Sequence, residues 1–288
     1  MSYQAALTDP EFTTPGKSRG LWDIFHHRYL LSLLLKKSVA TRYYGSTLGW
    51  IWSYVQTIAH FLLYYLVVGL VLGVHRSVEL FPVYLFCGLI TVNLFSEVLR
   101  NTTNAITDNA SLVKKIYLPR ELFPVAAVGS AITHFLPQAA VLLVICIFIG
   151  WTVTWMQIAA FLLGFVVVIV FALGLGLFFG ALNVAYRDAH NVVALILMFA
   201  TWSSPVLYPS EMVRSIAPDW IYQIYMLNPV TATTELFHNV FWLPLVPGAD
   251  RPDHLMLNGV IALGIALVTL VVGQLTFRKM EGTFAQYL

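Results

Sequence analysis

The chain has 288 residues, of which 59% are hydrophobic and only 10% charged, against roughly 25% charged in a soluble domain. Its net charge of +2 is built from dispersed basic residues that form no polyanion-binding face, so nucleic acid is not expected as a partner. The two cysteines, Cys87 and Cys146, lie in apolar runs and are expected as buried free thiols, with neither a disulfide framework nor a metal site.

Residues 1–20 are polar and broken by Pro10, Pro15, Gly16 and Gly20; they read as a flexible tail without a cleavable signal. Gly16-Lys17-Ser18 invites comparison with a phosphate-binding loop, but Glu11 stands where its first glycine belongs and no strand precedes it. No ATP site is expected. Residues 21–40 are too short and too charged to span a membrane, yet Trp22, Phe25, Tyr29 and Leu33 recur at helical spacing and Lys36 and Lys37 close the stretch. An amphipathic interface helix fits, as does a helix packed on a partner protein.

Six apolar spans follow, at about 48–73, 80–99, 122–150, 157–182, 189–208 and 256–277. Each is long enough to cross about 30 Å of hydrocarbon as a helix. The fold class is therefore all-α, a polytopic membrane protein with six transmembrane helices. Thirteen of the 16 Lys and Arg residues fall on one side of these spans, and only Arg76, Arg214 and Arg251 fall on the other. By the positive-inside rule both termini are cytoplasmic and the segment 209–255 lies outside.

The connections carry the individual features. Residues 109–117 hold a short helix-compatible run, Ser111, Leu112, Val113, Lys114, Lys115, Ile116 and Tyr117, stopped at Leu118-Pro119. Apolar side chains with a basic rim suit docking onto a soluble partner, or a helix lying on anionic lipid heads. The tight turn 181–191 presents Arg187 and Asp188, a solvated pair or a second contact for that partner. Gly174, Gly176 and Gly180 in the fourth span are small residues that let helices approach closely. Outside, Pro209, Pro218 and Pro229 cut 210–242 into short apolar helices, with Trp220, Tyr222 and Tyr225 at interfacial depth. They would form a lid over a conduit, or simply anchor at the interface.

Several chemistries are missing. No span carries the buried carboxylates of an ion-coupled pump, and only Glu97 approaches one, near Arg100. No nucleophile with its base and no metal-ligand cluster is visible. Gln56, His60, Asn93, His134, Gln138 and Gln274 read as interhelical hydrogen-bonding groups rather than a relay. A passive half-channel driven by a separate ATPase fits this pattern.

RYYGSTLGWIWSYVQ at 42–56, NASLVKKIYLPRELFP at 109–124, ALNVAYRDAHN at 181–191, SPVLYP at 204–209, LNPV at 227–230 and FRKMEGTFAQYL at 277–288 resemble, in this order, the permease subunit of ABC polysaccharide exporters. That family moves O-antigen, teichoic acid and related lipid-linked glycans, and the likeness runs from about residue 20 to the end. It is nearest to actinobacterial exporters of polyprenyl-linked galactan. The resemblance implies that Ser111 to Tyr117 form a coupling helix, that 21–40 is an interface helix touching the ATPase, and that 210–242 are gate helices. It also implies a second copy of the chain, two nucleotide-binding subunits that hold ATP and Mg, and a bacterial inner-membrane location. The chain itself would hold no cofactor and be no enzyme. Tyr54, Tyr64 and Trp202 are candidate channel-lining residues, because aromatic rings pack on sugar C–H faces and phenols bond hydroxyls. A small-molecule exporter of the same class, or an ATP-independent membrane enzyme or scaffold acting on lipid-linked sugars, are the alternatives.

Overall fold

A computed structural model describes residues 20–288 apart from 22–26, 43, 44, 46–48, 50, 116, 117, 187, 250 and 251. Every described element is helical: α1 (Arg28–Arg42), α2 (Ile51–Tyr64), α3 (Phe81–Asn104), α4 (Ala110–Lys115), α5 (Leu122–Ile149), α6 (Trp155–Ala185), α7 (Ala189–Trp202), α8 (Ser210–Ile216), α9 (Asp219–Leu227), α10 (Pro229–Phe241), α11 (Leu255–Glu281) and α12 (Phe284–Tyr287). Five segments are long and apolar enough to cross a membrane: Tyr54–Val71, α3, α5, α6 and α11. The first combines α2 with a π-helical continuation, Tyr65–Val71.

The expected fifth span, 189–208, differs. Its helix α7 stops after 14 residues at Trp202, because Pro205 and Pro209 cannot donate to an α-helical ladder. The chain goes on as irregular backbone, and Ser204, Val206 and Leu207 are buried. Such backbone is tolerable at membrane depth only where protein satisfies it. Gly88 of α3 makes room, since a Cβ there would lie 3.0 Å from Val206 Cα. The Tyr84 hydroxyl then donates to the carbonyls of Pro205 (2.8 Å) and Tyr208 (3.0 Å).

Helices α3, α6, α10 and α11 form the centre. The closest approach joins α6 to α11, where a Cβ on Gly273 would lie 2.1 Å from Gly174 O. Gly176 and Gly180 bring α6 against Thr102 and Thr103 of α3, so all three glycines singled out in the sequence serve packing. Thr154 and Gln157 close a reciprocal capping box at the start of α6. Cys87 and Cys146 are free and buried.

Helix α10 departs furthest from expectation. The sequence suggests an interfacial piece, yet nearly every residue from Pro229 to Phe241 is buried. It is a wedge fixed at both sides: Trp151 Nε1 donates to Val240 O (2.7 Å), His238 Nε2 lies 3.1 Å from Tyr84 O, and Trp242 Nε1 donates to Glu79 O (2.8 Å). Apolar packing of Phe237 against Phe135 and Phe161 completes the seat.

Candidate functional site

A polar groove runs between α2, α3 and α7. It encloses about 410 Å³ and is lined by Gln56, His60 and Tyr64 from α2, Asn93, Glu97 and Arg100 from α3, Gln138 from α5 and Thr201 from α7. Helical geometry aligns these groups. Gln56, His60 and Tyr64 are four apart, and Asn93, Glu97 and Arg100 are four and three apart, so each set occupies one helix face. Helices α2 and α3 run antiparallel, with Phe61 beside Phe86 and Tyr65 beside Phe81, so Gln56 and Asn93 lie near one level and the two stripes follow one another along the groove. Polar and charged side chains are expensive in hydrocarbon, and here they gather on one open hollow. The outer face of α2 and its π-helical continuation is apolar and exposed among the described residues, with Trp52, Ile58, Leu62 and Leu66 on it.

Of the aromatic candidates for this lining, Tyr64 is in the groove, whereas Tyr54 and Trp202 are outside it. Trp202 is instead exposed at the end of α7, where its carbonyl accepts from Tyr208 Oη at 2.6 Å. Four of the six residues read as interhelical hydrogen-bonding groups, Gln56, His60, Asn93 and Gln138, line the groove. Gln274 has that role in a specific bond, with Nε2 donating to Glu121 Oε1 at 3.2 Å.

At the basic end, α1 packs on α5, where Gly129 faces Leu35. Tyr29 and Leu33 of the expected apolar stripe are exposed; Trp22 and Phe25 lie outside the described residues. Lys37 Nζ donates to Asn109 Oδ1 at 2.7 Å, tying α1 to the loop that leads into α4. Next to this bond is a second, smaller hollow of about 340 Å³ with Ser38, Thr41 and Asn101 in its wall.

Helix α4 turns one apolar residue of the expected docking run inward. Val113 is buried at 8% exposure among Ile106, Phe123, Leu177 and Phe277, and Leu112 packs beside it. Among the described residues of the run, Ser111, Lys114 and Lys115 are the exposed ones. One helical turn cannot turn Val113 and Lys114 the same way, and the core claims the valine. Ile116, Tyr117 and Arg187 lie outside the described residues, and Asp188 is exposed.

At the charge-poor end, α8 and α9 lie over the bundle. Trp220 is exposed, and the Tyr222 and Tyr225 rings stack with centroids 6.4 Å apart. Arg214 joins these helices to the loop before α11: its Nη1 is 3.2 Å from Asp253 Oδ2, and its guanidinium sits 5.7 Å from the Tyr222 ring centre. Sequence reasoning left out the buried pair Glu235 and His238, one turn apart on α10 with carboxylate oxygen and Nδ1 at 4.0 Å. The His238 ring stacks on Tyr84 at 3.9 Å. Among the described residues no cluster of three or more metal-ligating side chains occurs.

Residues 29–242 match the family described as ABC-2 type transporter. The chain is 26% identical over 244 residues to the O-antigen export system permease protein RfbA of Myxococcus xanthus, covering 85% of this chain and 92% of that one. It is 27% identical over 259 residues to RfbA of Klebsiella pneumoniae, covering 90% and 95%. A third relative is the polysialic acid transport protein KpsM of Escherichia coli, 25% identical over 262 residues, covering 86% and 92%. With a match across most of its length and five helices able to cross a bilayer, this multi-pass membrane protein belongs to the ABC-2 type transporter family.

Proposed function

We propose that the chain is the channel-forming permease of an ATP-driven exporter that moves a lipid-linked polysaccharide across the bacterial inner membrane. Both termini are cytoplasmic, following the basic residues. Two copies place their α2 and α7 faces together, so that two polar grooves enclose one path. Two nucleotide-binding subunits hold ATP and Mg and act on the exposed face of α4, with α1 alongside. The polar groove carries this reading: a stripe of amide, imidazole and hydroxyl groups through an apolar bundle can exchange hydrogen bonds with sugar hydroxyls as a glycan slides. The names of the relatives supply the cargo class, O-antigen and polysialic acid being polysaccharides. A polyprenyl-linked galactan is the specific cargo proposed.

The coupling path follows from geometry. A push on Ser111, Lys114 and Lys115 reaches the core through Val113, and reaches α1 through the Asn109–Lys37 bond. Closure of the ATPase dimer would thus move α1 and the basic end of α3 together, shifting the groove wall.

Deletion of the chain in its host, with cell-surface polysaccharide and its lipid-linked precursor both measured, tests the proposal. Surface glycan should vanish while precursor accumulates inside. Unchanged surface glycan with altered sensitivity to small toxic molecules would replace it with the small-molecule exporter.

A further inference from the structure

We infer that the cleft between α9 and the first turns of α11 is a binding site for neutral sugar rings on the charge-poor side of the membrane. The inference rests on the export reading and adds to it a second glycan contact, away from the polar groove.

The cleft encloses about 500 Å³, within the roughly 300–1,000 Å³ of small-molecule sites. Its wall combines the Tyr222 ring with the side chains of Asp219, Gln223, Asp253 and Asn258, over an apolar floor that includes Leu257. Side-chain contacts tie its two walls together. Arg214 is held between Asp253 (3.2 Å) and the Tyr222 ring (5.7 Å), and Asn258 Nδ2 donates to Asp253 O at 3.5 Å. His254, at the start of α11, holds a left-handed φ of 55°, a conformation that costs free energy in a non-glycine residue.

The donor set selects the ligand class. Two carboxylates face one guanidinium that already has Asp253 as its partner, with His254 beside them, so the lining is not built for an anion such as phosphate. An apolar ligand would cover Asp219 and Gln223 without replacing the hydrogen bonds that water gives them. A neutral sugar suits all of them: carboxylates accept from its hydroxyls, amides both donate and accept, and ring C–H faces pack on tyrosine. Burial also pushes the Tyr222 phenol up, keeping it in the form that donates. Placed beside the gate segment, the cleft would hold an emerging chain by one or two residues and disfavour its return.

The test uses the full chain in lipid nanodiscs and saturation-transfer NMR with a neutral galactose oligosaccharide. The wild type should transfer saturation to sugar ring protons. Asn258→Ala and Asp219→Asn should weaken binding about tenfold each, the size of one lost hydrogen bond. Inorganic phosphate should not compete. The site is overturned by no transfer in the wild type, by equal transfer in both variants, or by competition from phosphate. Deletion of the chain separates this from the export reading. Lost surface glycan with no sugar signal removes the cleft site alone, and a cleft-localised signal with surface glycan intact removes the exporter alone.

Discussion

Substituting alanine for Gly273 tests the central packing claim against a control in the same helix. A Cβ on Gly273 would lie 2.1 Å from Gly174 O, and one on Gly174 would lie 2.6 Å from Leu270 N. Both obstacles are backbone atoms, so no rotamer change relieves them; to reach contact at 3.4 Å, α6 and α11 must part by about 1.3 Å. Overpacking of this kind costs about 3 kcal/mol at its upper range. The helix-propensity gain of alanine over glycine returns about 1 kcal/mol, leaving a loss near 2 kcal/mol. For a chain of this size that lowers Tm by roughly 4–8 °C. Gly264, two and a half turns earlier, has nothing within 4 Å of its Cβ position. There the propensity gain is unopposed, and alanine should raise Tm by roughly 2–4 °C. Cys87 and Cys146 are both 0% exposed, so a thiol-reactive fluorophore reports unfolding directly. Equal shifts for the two variants, or a more stable Gly273→Ala, would refute the idea that this glycine pair sets the helix separation.

Lys114→Glu with Lys115→Glu should abolish stimulation of a co-purified ATPase without moving Tm, since both side chains are exposed; normal stimulation would show that α4 is not the docking face. Asn93→Leu, which makes the middle of the groove apolar, should cut export by roughly tenfold, about one hydrogen-bond loss in the moving state, and leave the complex intact on size-exclusion chromatography. Trp242→Phe keeps the ring but removes the bond to Glu79 O; stability should fall by about 1 kcal/mol, read as roughly 2–4 °C in the same thiol assay.

What could be read in advance was what depends on local pattern. The ends of α5 and α11 fall within a few residues of expectation because apolar runs bounded by Pro119, Gly150 and Arg278 define them locally. The premature end of α7 was foreshadowed by Pro205 and Pro209, but its viability depends on Gly88 and Tyr84, more than 100 residues away in the chain. Val113 could not be distinguished from Leu112 as the inward residue, because a six-residue helix carries too little periodicity to fix its rotation. The groove stripes were visible as spacings of four, yet polar residues that bond across helices and polar residues that line water share that spacing. The hollow that gathers them between α2, α3 and α7 is a property of the assembled bundle, not of either helix.

The wedge α10 makes the same argument from the opposite side. Its sequence, PVTATTELFHNVF, is amphipathic in composition, bounded by turns and too short to cross, which are the marks of an interfacial helix. Three threonines satisfy their hydroxyls in ways no pattern shows: Thr233 and Thr234 donate to the carbonyls four residues back, and Thr231 to Ser203 O. With those donors satisfied locally, the helix can enter an apolar setting, and Glu235 and His238 enter with it. Their burial is a consequence of where α3, α6 and α11 leave space, so it is a property of the assembled bundle. Helix α10 thus belongs to the core, and α8 and α9 rest on it through Ser210, which lies beside the buried Glu235, and through the buried Met226, with the exposed Arg214–Asp253 pair at their rim.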